Sequence, residues 1–258
     1  MSAGMLDAKT VAVVGAGTGL GQEIARVVRR EGGNVVLGAR TASVLEDIAF
    51  GVDPSGDRVM WRTTDVRDSE QCRALVTSAV ERFGGLDAVV ICAVAGDALV
   101  GGIADADLDE WRDLFEVNLF GAMQVVSAAV PAMETQGSIV FIGSQAAYFP
   151  NVIQAGYAAS KAALVGVTHH LAAELGPRGI RVNVVAPGWM WGPSLEKSLD
   201  AATGGGGAAL IEKIGRKLPL GTVAEDGDVA EAAAFLASAR AKAITGQCLL
   251  VNAGEYTR

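Results

Sequence analysis

Tyr157 and Lys161 stand four residues apart in Tyr157-Ala158-Ala159-Ser160-Lys161, a spacing that puts both side chains on one face of a helix. An ammonium beside a phenol favours the phenolate. That matters because free tyrosine titrates near ~10, too high for an efficient base at neutral pH, so the spacing predicts that Lys161 holds the Tyr157 pKa down. Ser144 follows a short apolar run, 138–142, which predicts its hydroxyl at a carboxyl end of a sheet, where open α/β folds bind ligands. A hydroxyl placed there can donate a hydrogen bond to a developing alkoxide.

A second group of residues has the form of a phosphate site. The first apolar run leads into Gly15-Ala16-Gly17-Thr18-Gly19-Leu20-Gly21 and then a helical pattern. Glycines let the backbone approach a pyrophosphate, and the exposed amides of a helix N-terminus supply positive partial charge for it. About twenty residues on, the second strand should carry the group that reads the adenosine ribose. Val35-Val36-Leu37-Gly38-Ala39-Arg40 holds no carboxylate there, and Arg40 can pair with a 2′-phosphate. NADP(H) is therefore the favoured cofactor, with NAD(H) as the alternative if Arg40 is an ordinary solvated charge.

These residues need a scaffold, and the chain supplies one by alternation. Apolar runs at 10–14, 34–37, 58–61, 88–92, 138–142, 181–185 and 248–251 are continuous, as in strands covered on both faces. Between them, 20–30, 69–83, 108–133, 157–175 and 229–237 show helical periodicity. Strand–helix alternation predicts one doubly wound α/β domain over 1–258, with about seven parallel strands and helices on both faces. Residues 189–221 depart from the pattern. They run from Trp189-Met190-Trp191 through Gly204-Gly205-Gly206-Gly207 to Leu218-Pro219-Leu220-Gly221, and read as a mobile substrate flap in which four glycines hold no helix.

Composition narrows the partners. The 258 residues are 50% apolar and 19% charged, with 21 Lys plus Arg against 29 Asp plus Glu, a net charge of −8 and no basic stripe to follow a nucleic acid. The three cysteines, Cys72, Cys92 and Cys248, show no Cys-x-x-Cys pairing, which fits a reducing, cytoplasmic setting and no zinc cluster. The first residues carry no basic leader. The stretch 86–100 contains Asp87 and Asp97 and falls short of the roughly 20 apolar residues of a span, so no membrane association is expected.

Taken together, the chain resembles the short-chain dehydrogenase/reductase superfamily from Lys9 to about Ala253. Val14-Gly15-Ala16-Gly17-Thr18-Gly19-Leu20-Gly21 is similar to its glycine-rich turn, Asp65 in Thr64-Asp65-Val66 to its adenine-contacting acid, and Asn118 in Val117-Asn118-Leu119 to its active-site Asn. The resemblance implies a Rossmann-like fold and a catalytic tetrad of Asn118, Ser144, Tyr157 and Lys161, with Asn118 positioning Lys161 through a water relay and Lys161 contacting the nicotinamide ribose. It implies cofactor contacts at Gly15, Thr18, Gly19, Leu20, Gly21, Arg40, Asp65, Val66, Ala93, Gly96, Tyr157, Lys161, Pro187, Gly188 and Met190. The expected activity is NAD(P)-dependent interconversion of an alcohol and a ketone or aldehyde, in a homotetramer or homodimer. Three motifs depart from the family: Val14 stands for the leading Thr, Ala93-Val94-Ala95-Gly96 for its Asn-Asn-Ala-Gly, and Gly192 where a Thr usually bonds the carboxamide.

Trp189, Met190, Trp191, Tyr148 and Phe149 fall where the substrate pocket is expected, which predicts an apolar, cyclic or long-chain substrate. Asp105, Asp107 and Asp109 alternate like a calcium loop, but Glu110 stands where its turn needs Gly, and they read as helix N-terminal acids. His169 and His170 are adjacent and read as surface or subunit-contact residues, so no metal site is expected. The competing reading is a non-catalytic dinucleotide-binding sensor or scaffold on the same fold.

Overall fold

Alternate residues of the first strand go to opposite faces of a sheet. Val11 and Val13 join one buried cluster, and Ala12 and Val14 join the other. That two-sided burial is why the strands are continuously apolar. The protein is described from a computed structural model, for residues 4–95, 102–133, 136–150 and 154–257.

In chain order the elements are β1 (Thr10–Val14), α1 (Leu20–Arg30), β2 (Asn34–Ala39), α2 (Ala42–Val52), β3 (Val59–Thr63), α3 (Ser69–Phe83), β4 (Ala88–Ile91), α4 (Leu108–Phe115), α5 (Ala122–Ala129), β5 (Ser138–Ile142), α6 (Ala155–Leu175), β6 (Arg181–Pro187), β7 (Met190–Trp191), α7 (Pro193–Thr203), α8 (Gly207–Gly215), β8 (Ala224–Glu225), α9 (Asp226–Ala237) and β9 (Cys248–Val251). Seven strands form one sheet in the order β3-β2-β1-β4-β5-β6-β9, and every pairing is parallel. The fold is therefore Rossmann-like and doubly wound, with α1, α2 and α9 on one face and α3, α5 and α6 on the other. Strand order reverses between β1 and β4, and such a switch point opens a crevice at the strands' carboxyl ends.

Four features differ from the pattern read in the sequence. The stretch 108–133 is one helical run as expected, but it is not α-helical throughout: between α4 and α5 lies a π-helical turn, Glu116–Gly121, carrying the buried Asn118. A π-turn adds a residue to the winding and re-aims a side chain, and these turns are frequent at functional sites. Among the described residues, the run Leu108–Ala132 is also the one helix long and apolar enough to cross a membrane, rather than the stretch 86–100. Here Ala122, Val125, Val126 and Ala129 of that run are spent against the sheet, in the cluster that holds Ile139 and Phe141.

Residues 189–221 are the third difference, since they fold into α7 and α8 instead of a glycine-rich loop. Gly204 ends α7 in the left-handed conformation at φ 67°, and Gly205 continues the turn at φ 96°. The Asp200 carboxylate then accepts from the Gly207 amide at 2.9 Å and starts α8. Four glycines thus serve one tight helix–helix turn. Finally, α2 has no counterpart among the expected helices; it buries only Leu45 and Ile48, too narrow an apolar stripe to stand out.

Candidate active site

At the switch point lies a cavity of about 670 Å³, in the size range of small-molecule sites. Gly15, Ala16, Gly17 and Thr18 line one wall, Arg40, Thr41, Asp65, Val66 and Arg67 one end, and Cys92 to Ala95 the side beneath β4. Gly15 has to be glycine. Its φ is +87°, and a Cβ would lie 2.3 Å from the Ala93 amide nitrogen. At Gly17 a Cβ would meet nothing within 4 Å, so the turn faces open space. Gly19 caps the N-terminus of α1, which begins at Leu20 and packs Gly21 on Ala16. A dinucleotide fits this arrangement: an open glycine cradle, a helix N-terminus, and Arg40 with no hydrogen bond or ion pair to any described residue.

Of the other expected cofactor residues, Pro187 ends β6 and Gly188 follows it, close enough to Gln145 and Asn252 that a Cβ would collide with both. Met190 lies in β7 and packs toward the α1/α9 side of the core. These three stand outside the cavity lining, as do Gly19, Leu20, Gly21, Ser144, Tyr157 and Lys161. Gly96 falls outside the described residues.

The catalytic candidates come from three elements. Ser144 stands two residues past β5, and its Oγ accepts a hydrogen bond from the Ala146 amide at 3.1 Å. With its acceptor side engaged, the hydroxyl proton is left to donate, and Ser144 hydrogen-bonds the Tyr157 phenol. Tyr157 and Lys161 lie on α6, with Lys161 Nζ 5.7 Å from the Tyr157 ring centroid. Lys161 is 3% exposed and donates to the Ile142 carbonyl at 2.9 Å. Burial pushes its pKa down to about 8, partly offset by the Cys92 thiol beside it, and burial pushes Cys92 up to about 12. Asn118 is buried, but it does not touch Lys161. Its Oδ1 accepts from the Ala95 amide at 3.0 Å and its Nδ2 donates to Ser160 Oγ at 2.9 Å. Ser160 in turn donates to the Tyr157 carbonyl at 2.7 Å.

One expectation is overturned. The Tyr157 phenol is not held below its usual value: burial raises it, and the Ser144 hydrogen bond only opposes that rise. Lys161 donates one of its three N–H groups to a backbone carbonyl and stands 5.7 Å from the ring centroid. In this state the pair holds a protonated tyrosine.

The family model described as enoyl-(acyl carrier protein) reductase matches residues 15–255. The chain is a short-chain dehydrogenase/reductase. Among curated relatives, a 3-oxoacyl-[acyl-carrier-protein] reductase of Staphylococcus aureus is 34% identical, the match covering 96% of this chain and 98% of the relative. A trans-4-hydroxycyclohexanecarboxylate dehydrogenase of Sinomonas cyclohexanicum is 36% identical over 96% of this chain and 92% of its own. Among solved structures, a short-chain dehydrogenase/reductase described as glucose/ribitol dehydrogenase, from Brucella melitensis, superposes with a TM-score of 0.89 at 28% identity, covering all of both chains. The family is one of NAD(P)-dependent oxidoreductases acting on small molecules.

Within this short-chain dehydrogenase/reductase the departures have local explanations. The segment Ala93–Ala95 lacks two side-chain amides, yet its backbone is still tied down, through the Ala95 amide, by Asn118. Gly192 leaves a gap that the Asp226 carboxyl fills, its oxygens 2.2 to 2.6 Å from where a Cβ would stand. Burial, with Glu23 adding repulsion, raises the Asp226 pKa to about 6. The aromatics divide between two places. Tyr148 stacks on Tyr256 at 6.3 Å, with Phe149 tilted against the same ring, whereas Trp191 lines a separate cavity of about 210 Å³ with Ile211.

Several site neighbours were not singled out in the sequence. Gln145, next to Ser144, accepts from Asn252 at 3.0 Å and donates to Glu255, so the chain's C-terminal segment braces the Ser144 turn. Asn252 directly follows the apolar run 248–251; Tyr256 and Glu255 carried no local signal. Arg67 is the other omission. Its guanidinium grips Asp65 through Nε and Nη2, at 3.1 Å and 2.7 Å. Asp107 caps α4 by accepting from the Asp109 amide at 2.8 Å, and His169 and His170 are exposed on α6.

Proposed function

We propose that the protein is an NADP(H)-dependent reductase of apolar ketones, cyclic or long-chain, running the reverse alcohol oxidation at the same site. One observation carries the reading: Ser144, Tyr157 and Lys161 converge at the carboxyl end of β5, with Ser144 hydrogen-bonded to the Tyr157 phenol and Lys161 to the Ile142 carbonyl. The cofactor, when bound, supplies the hydride that goes to the carbonyl carbon. Tyr157 gives its phenolic proton to the carbonyl oxygen, and its raised pKa suits an acid that must hold that proton at neutral pH. Ser144 donates to the same oxygen as charge develops on it. Lys161, as its neighbour over the ring, stabilises the phenolate left behind. Asn118 positions the site by clamping Ala95 to the start of α6.

Arg40 supports the choice of NADP(H), being a cation at the β2 end of the cavity with no hydrogen bond or ion pair among the described residues. Tyr148, Phe149 and Tyr256 support an apolar substrate, since they gather around the turn that carries Ser144. One domain spans the chain, with 189–221 as a helical flap facing the substrate. Leu108 and Phe120 are exposed on the outer side of the α4–α5 run, which supports a cytoplasmic homodimer or homotetramer packed there.

The experiment is a paired fluorescence titration with NADPH and NADH, followed by reduction assays on cyclic and long-chain ketones. Tighter NADPH binding with turnover is the expected result. Tighter NADH binding would remove Arg40 from its role, and cofactor binding without turnover of any ketone would move the protein to the non-catalytic class.

A further inference from the structure

The adenosine end of the cavity holds a charge arrangement that Arg40 does not explain by itself. Arg40 follows β2 directly and Asp65 lies two residues beyond β3. The strands are adjacent, Ala39 pairs with Thr63, and the Thr64 amide donates to the Ala39 carbonyl at 2.8 Å. Arg40 and Asp65 therefore leave the same sheet edge within about one strand spacing, ~4.8 Å. An anion held by Arg40 would sit beside the Asp65 carboxylate. Left alone, that carboxylate would repel it.

It is not left alone. Arg67 donates to Asp65 through Nε at 3.1 and 3.2 Å and through Nη2 at 2.7 Å, and the Arg67 amide donates to the same carboxylate at 3.0 Å. A two-nitrogen grip of this kind fixes geometry as well as charge. Together with the field of Arg40 it holds Asp65 down at about 2, so the carboxylate stays ionised and covered at any working pH. Asp113 and Glu116 also act on Arg67 from the α4 side, but its side-chain hydrogen bonds go to Asp65. The five charged side chains on the cavity wall are Arg40, Asp65, Arg67, Glu110 and Asp113.

We infer that Arg67 is a specificity-determining residue that acts through Asp65: by cancelling this carboxylate it leaves the group of Arg40, Asp65 and Arg67 at the β2–β3 end with one uncompensated positive charge, that of Arg40, and so permits a 2′-phosphate. Arg67 is a positioning residue in this scheme and need not touch the phosphate. The inference rests on the NADP(H) reading.

The test is a double-variant cycle read by equilibrium binding, with NADPH and NADH as probes and no turnover required. In Arg67→Gln, the ratio of NADPH to NADH affinity should fall roughly fivefold, the scale of one exposed charge pair, with NADH affinity within twofold of the parent. Adding Asp65→Asn removes the uncovered carboxylate and should restore the ratio. An equal loss for both cofactors in Arg67→Gln would make Arg67 merely structural, and failure of the double variant to recover would make it a direct phosphate ligand; either overturns the inference. If the parent protein itself prefers NADH, the NADP(H) reading fails first, so the two failures are distinguishable.

Discussion

The two ends of the site solve opposite problems. At the β5–α6 end, Lys161 is buried and Tyr157 nearly so, and desolvation moves both pKa values toward their neutral forms. At the β2–β3 end, Asp65 and Arg67 keep their charges because they pair with each other beside solvent. In the proposed function one end handles protons and the other recognises charge. The difference teaches what surroundings do to an ionisable side chain: burial pushes Lys161 down to about 8, whereas the partly exposed Asp65 carboxylate, gripped by Arg67, is held down at about 2 and stays charged.

The largest effect should come from the buried end. Ser144→Ala should lower kcat by roughly 10² to 10³-fold, as loss of one oxyanion donor does, while the dissociation constants of both cofactors stay put. Stopped-flow turnover alongside binding titrations measures both, and a matched loss of cofactor affinity would break the division between the ends.

Next comes a stability effect with a defined pH window. Asp226 binds its proton more tightly folded than unfolded, about 6 against a usual value near ~3.9, so its ionisation costs the most stability above about pH 6 and almost none near pH 3. Asp226→Asn should therefore stabilise the protein by about 3 kcal/mol at pH 7.5, by only about 0.5 kcal/mol near pH 4 and by almost nothing near pH 3, by chemical denaturation. Asp65, already low, should show no such window above pH 4. A gain from Asp226→Asn that is independent of pH would contradict the assignment to charge burial.

Smaller changes belong to the exposed end. Arg40→Ala should weaken NADPH by roughly 10 to 100-fold, the scale of a charge-assisted hydrogen bond, and leave NADH within about twofold. Raising salt from about 0.1 to 1 M shortens the Debye length from ~10 to ~3 Å, and should weaken NADPH binding several-fold more than NADH binding. Equal salt slopes for the two cofactors would remove the phosphate from the picture.

Much of this was legible locally. Seven continuous apolar runs gave seven parallel strands, because a run covered on both faces carries its own signature. Tyr157, Lys161 and Ser144 could be placed because a helix repeat and a strand end are short-range features. What escaped depends on long-range or three-dimensional facts. Gly204 to Gly207 looked like a loop because glycine lowers helix propensity, but only the turn between two helices needed that freedom. The π-turn at Asn118 has no period of its own to read. The upward shift of Tyr157 and the downward shift of Lys161 follow from burial, which spacing cannot report. Arg67 stands only two residues from Asp65, yet its function depends on Arg40, which reaches the same edge from a different strand.

The most direct test is Tyr157→Phe, which removes the transferable proton and almost no volume. The account predicts a folded protein that binds NADPH in preference to NADH as the parent does and reduces no ketone. Turnover by this variant at the parent's rate would contradict it.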